Sequence, residues 1–256
     1  MRRDTLRRGT ALAVVAVLLA LAIPPVAFAA DTANCSEGPG AVNRHKGNSW
    51  SALYGVAAII DGQTLNKCTN GVVGEVAGSQ AWVNIEGYGS TNNIIQIGLL
   101  KCANPINPAC DSNMHFVRAW GRSGCVSLPD HYPFPEAIGS WDGANHNYKV
   151  WRNSAAWNFY IDTTSWGGIT PDQICWTPSR VTWFAETWDY GDALGGTSTD
   201  RLYFNSMAYA SAIGGGFTYT GFGSQTCGIS DGPNNTSPPF YCTQLNSNTM
   251  QVWTNR

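Results

Sequence analysis

Short runs rich in β-branched and aromatic residues alternate along this chain with clusters of Gly, Pro, Asn, Asp and Ser. No amphipathic helical pattern of convincing length interrupts them. The pattern predicts strands over residues 50–60, 71–76, 80–87, 93–100 and 114–121. It predicts further strands over 147–152, 156–162, 180–187, 201–209 and 250–255. Strands at this spacing indicate an all-β fold, an antiparallel sandwich or barrel. The stretches 101–113 and 127–147 are long for hairpin loops and are expected to rim a binding face. From about Ala210 the chain reads as looser.

Period-two alternation assigns faces. In "NIIQIG" and the two residues after it, Ile95, Ile97 and Leu99 share one side, which belongs to the core. Ile94, Gln96 and Gly98 share the other. Over 80–87, Ala81, Val83 and Ile85 face the core, while Trp82, Asn84 and Glu86 point outward. Gln96 is therefore expected on a second, wet face, beside a Trp and a Glu if the strands are neighbours. By itself that is an ordinary place for a polar residue.

The first thirty residues stand apart. "MRRDTLRR" is a basic opening, "ALAVVAVLLALAI" an apolar run of signal-peptide length, and Ala27-Phe28-Ala29 a small-residue cleavage signal. Residues 1–30 are thus expected to be a cleaved signal peptide, used by the ordinary secretory route rather than the twin-arginine one. Residues 31–256 are expected to form one exported domain, free of the membrane after cleavage and monomeric.

The formal net charge of −2 becomes about −5 once the leader's arginines are lost. Only Lys46, Lys67, Lys101 and Lys149 supply lysine. A chain with so few charges and no basic cluster argues against nucleic acid as partner.

All eight cysteines lie beyond the leader, and an even number in an exported chain suggests disulfides. Cys102 with Cys110 and Cys227 with Cys242 would close short loops. Cys35, Cys68, Cys125 and Cys175 are the other candidates, with pairing left open. No C-x-x-C occurs and the histidines are scattered, so no metal is expected.

Five glutamates follow the leader: Glu37, Glu75, Glu86, Glu136 and Glu186. Glu186 shares a strand face with Thr182 and Phe184 and lies near Trp183 and Trp188. A carboxylate beside apolar rings loses hydration, which suits it to proton transfer. A strand-end Glu bonded to a loop amide fits the same residues. Glu86 and Glu186 on one sheet face could also form a glycosidase pair. No G-x-S-x-G occurs, and His45, His115, His131 and His146 show no triad spacing.

The segments "AWVNIEG" and "NIIQIG" together resemble the W-V-G-I-D-G and I-L-Q-x-G signature of the glutamic peptidases, or eqolisins. "TWFAETWDYGD" is similar to that family's second segment, in which a Trp precedes the catalytic Glu by three residues. "SWSALYGVAAII" is similar to its opening strand. The resemblance runs from about Trp50 to Met207. It implies a two-sheet antiparallel β-sandwich of concanavalin A-like, jelly-roll type, with the site on the concave sheet. Residue by residue, it implies Gln96 as catalytic Gln, Glu186 as catalytic Glu and Trp82 as an active-site Trp. Asn84 stands where the family has Gly, and Glu86 where it has Asp, so both are expected to touch substrate.

The implied activity is a secreted, acid-active endopeptidase without a cofactor, acting on polypeptide. Glu186 would take a proton from a water held between it and Gln96, whose amide would then donate to the oxyanion. Two other readings stay open. One is a non-catalytic carbohydrate- or surface-binding sandwich. The other is a glycoside hydrolase using Glu86 and Glu186 on polysaccharide.

Overall fold

The computed structural model describes residues 43–50, 54–61, 65, 77–87, 93–103, 114–120, 136–174, 176–187, 201–219, 228–230 and 240–254. The leader, the predicted strand 71–76 and Cys35, Cys68, Cys110, Cys125, Cys175 and Cys227 lie outside them. The side chains of Cys102, Cys242 and Glu186 lie outside them too.

In chain order the strands are β1 (Asn43–Trp50), β2 (Gly55–Asp61), β3 (Ala77–Gly87), β4 (Ile94–Ala103), β5 (Met114–Trp120), β6 (Glu136–Ser140), β7 (His146–Arg152) and β8 (Trp157–Ile161). β9 (Thr164–Ile169) precedes a single helical turn, α1 (Pro171–Ile174). Then come β10 (Pro178–Thr187), β11 (Leu202–Ala210), β12 (Thr218–Tyr219), β13 (Gly228–Ser230), β14 (Phe240–Asn246) and β15 (Thr249–Thr254).

They form two sheets with antiparallel ladders. The first has the order β13-β1-β10-β3-β4-β5-β6. The second has the order β14-β15-β11-β2-β7-β8-β9, with β12 on β11. The fold is the expected all-β two-sheet sandwich.

Alternation is obeyed between the sheets. Ala81, Val83 and Ile85 of β3 and Ile95, Ile97 and Leu99 of β4 are all fully buried there. Val181, Trp183 and Ala185 of β10 join them, against Val56, Ala58 and Ile60 of β2. Trp183 also ties the layers by a hydrogen bond, its indole N–H donating to the Ala57 carbonyl of the second sheet at 2.9 Å. An indole buried between sheets needs such a partner.

The other face of the first sheet departs from expectation. Trp82, Asn84, Glu86 and Gln96 do leave the intersheet core, but they are not wet: each is 2–6 % exposed. A second apolar cluster of Trp82, Leu100, Met114, Phe116 and Phe184 explains part of this burial. Gly98 is required here. It stands opposite Trp82, and a Cβ on it would lie 2.1 Å from the Ala81 carbonyl oxygen. The absent side chain lets the two backbones and the Trp82 ring close up.

Several strands escaped the pattern. β9 is exposed at five of its six positions, so it has no apolar alternation to read. Beyond residue 210, β14 and β15 pair as a hairpin in the second sheet.

Candidate functional site

The register of β10, β3, β4 and β5 sorts the second face into rows. Thr182, Asn84, Gln96 and Arg118 stand in one row. Arg180, Glu86, Ile94 and Trp120 form the row on one side of it. Phe184, Trp82, Gly98 and Phe116 form the row on the other. Beyond these comes the row of Glu186, Gln80, Leu100 and Met114.

The polar rows are built around the Glu86 carboxylate. Its Oε2 takes Nε–H and Nη2–H of Arg180. Its Oε1 accepts from Asn84 Nδ2 at 2.9 Å and from the Thr182 hydroxyl at 2.9 Å. Asn84 Nδ2 also lies 3.1 Å from Thr182 Oγ1. A carboxylate taken out of water needs this many partners, and here both oxygens have them.

That network orients Asn84. Its amide nitrogen is committed to Glu86 and Thr182, so its Oδ1 is turned away and has no partner. Directly across the ladder, Gln96 Oε1 is buried without a partner as well. One row further on, the Trp82 indole N–H is a third unpaired group. The Trp82 ring itself is fixed, stacked on Phe184 at 5.4 Å and edge-on to Phe116 at 6.2 Å. Two acceptors and one donor are thus left without partners on one small area. Buried polar groups are rarely left so unless a ligand or water completes them.

Of the residues singled out from the sequence, Gln96, Asn84, Glu86 and Trp82 come together. Glu186 shares their face but not their row. It lies four residues along β10 from Thr182, opposite Gln80 and Arg44. With strand geometry, that offset is about 13 Å along the strands and about 10 Å across them, or roughly 16 Å from Gln96 between α-carbons. Bringing the two groups to one water would take both side chains extended toward each other along the face.

The two residues of the expected glycosidase pair stand further apart along the strands. Glu86 stands opposite Arg180, six residues from Glu186. That is about 20 Å between α-carbons by strand rise. Glu86 is also held by Arg180, which the sequence reading missed. The sign of its presence was the basic residue at the start of the same strand face as Thr182 and Glu186.

No protein-family model and no curated protein matches the chain by sequence. Among solved structures it is similar to SCP-B, a member of the eqolisin family of peptidases in complex with the tripeptide Ala-Ile-His. The TM-score is 0.49 at 11 % identity, over 86 % of this chain and 100 % of that one. It is also similar to the Crh5 transglycosylase in complex with NAG, at a TM-score of 0.35 and 8 % identity over 62 % of this chain and 64 % of that one. A third is Rv0315, an immunostimulatory antigen and pseudo β-1,3-glucanase of Mycobacterium tuberculosis. There the TM-score is 0.31 at 12 % identity, over 84 % of this chain and 75 % of that one. Likeness at this level concerns the shape of the fold and says nothing of chemistry.

Proposed function

We propose that this chain is an exported, eqolisin-like sandwich that takes a segment of extended polypeptide on the Gln96 face. The observation that carries this reading is the set of unpaired groups. Asn84 Oδ1 and Gln96 Oε1 stand side by side and ask for a donor, and Trp82 Nε1 asks for an acceptor. A peptide group supplies one N–H and one C=O, which matches two acceptors and a donor. The Glu86 carboxylate is already satisfied by Arg180, Thr182 and Asn84, so it does not demand a cationic ligand.

Acid peptide hydrolysis by Gln96 and Glu186 is a second reading, favoured by their shared sheet face. It needs the β10 carboxylate to reach a row four residues from its own.

One comparison separates the two. An unfolded, alkylated polypeptide is incubated with the exported chain in mild acid, and both retention and cleavage are measured. Binding is expected without cleavage, and Glu186→Gln is expected to leave it within twofold. Cleavage that Glu186→Gln abolishes would establish the second reading instead.

A further inference from the structure

We propose that His146 is the bolt of a pH-sensitive clamp that holds one edge of the sandwich together. His146 opens β7. Its Nδ1 lies 2.7 Å from Asp162 Oδ2 and its Nε2 lies 2.9 Å from Asp142 Oδ1. Asp142 belongs to the crossover from β6 in the first sheet to β7 in the second, and Asp162 to the β8–β9 turn. An imidazole donates from both nitrogens only when protonated; neutral, it donates from one. The two carboxylates are thus both satisfied only by the imidazolium.

The carboxylates are preset for this task. Asp142 Oδ1 accepts the Ala144 N–H at 2.8 Å, and Asp162 Oδ1 accepts the Asn147 N–H at 2.9 Å. Asp162 holds a left-handed backbone, φ 55°, at the turn between β8 and β9.

The clamp reaches the first sheet through His115 of β5. Its ring lies edge-on to His146 at 5.1 Å, and its Nδ1 is 2.8 Å from the Tyr148 hydroxyl. Gly139 of β6 closes the same corner. A Cβ there would lie 3.7 Å from the Trp166 ring of β9 and 3.8 Å from His115. Among the described residues, the groups facing His146 are Asp142, Asp162, His115 and Tyr148.

Charge follows from this packing. Burial disfavours the His146 cation, but the bonds and charges of Asp162 and Asp142 outweigh it and hold the group above its ordinary value of 6.5. Its contribution is full below 6.5 and is lost as pH rises through the folded value. His115 goes the other way. Burial, and then the positive His146 beside it, push it down to about 4. The unfolded chain takes that proton more readily, so stability is lost as pH falls from 6.5 through about 4. The clamp is firmest near 6.5 and loosens on both sides.

The test is amide hydrogen exchange at Ala144 and Asn147 in the full chain, with His146 followed by NMR. In the wild type, protection factors should fall on the order of fivefold as pH rises above 6.5, with the midpoint at which His146 titrates. In His146→Gln they should start low and show no pH dependence above 6.5. Asp162→Asn, which tolerates the left-handed backbone, should lower the His146 midpoint. His115→Gln keeps an acceptor for Tyr148 and should flatten the acid arm, which otherwise costs up to about tenfold in the unfolding constant per pH unit. A His146 midpoint at or below 6.5 would overturn the proposal. So would pH-independent protection in the wild type, or an acid arm unchanged in His115→Gln.

Discussion

Gln96→Met should make the fold more stable and weaken polypeptide binding at least tenfold. Gln96 is 4 % exposed and its Oε1 has no partner, beside the equally unpaired Oδ1 of Asn84. Burying such an acceptor costs about 1–3 kcal/mol. Methionine is close in volume and carries no amide, so about 1 kcal/mol of that should return. For a domain of this size the midpoint of thermal unfolding should rise by about 2–4 °C. Polypeptide binding should weaken at least tenfold, because the ligand N–H loses one of its two acceptors. A residue kept against the interest of the fold is the expected mark of a functional site. Equal stability with unchanged binding would make Gln96 an ordinary buried amide.

Arg180→Met should be the most damaging single change in the polar rows. The Arg180 side chain is 34 % exposed, but the Glu86 side chain is only 8 % exposed and both its oxygens are engaged. Removing the guanidinium leaves a carboxylate in a poorly hydrated place with two neutral donors. Breaking a fully buried pair costs about 3–5 kcal/mol. The part-exposed arginine lowers that, and about 2–3 kcal/mol is expected. Adding Glu86→Gln should restore at least half, since the neutral amide no longer needs a cation and can still accept from Thr182. Urea unfolding of the two single variants and the double variant measures this. A loss no greater than that of a surface substitution would show that the pair is screened by water. The network would then not be what orients Asn84.

Much of this was legible in the chain. Alternation in 80–87 and 93–100 put Ile95, Ile97 and Leu99 in the core and Gln96 on the opposite face, as the sheets show. Alternation fixes a side, however, and not what lies beyond it. The expectation of a wet face failed because Trp82, Phe116 and Phe184 form a second apolar cluster there.

The register was also out of reach. Sequence places Glu186 on the face of Gln96 but cannot say which residues of β10 stand opposite β3. The ladder puts Thr182, not Glu186, abreast of Asn84. The strongest clue to that register was charge: Arg180 opposite Glu86 makes one part-buried pair, and a slip of one residue would turn the two to opposite faces. β9 and β6 carry too few apolar residues to be read at all. Nothing local in His146 announced its two partners, one four residues before it and one in a distant turn.

The reading of the Gln96 row rests most directly on the behaviour of one side chain. Its amide signal is assigned by its loss in Gln96→Met and followed by NMR as an unfolded polypeptide is added in mild acid. The account predicts that this signal shifts on binding, that the polypeptide stays intact, and that Glu186→Gln shows the same shift. A signal that does not move while polypeptide binds would contradict it, and so would cleavage that disappears with Glu186→Gln.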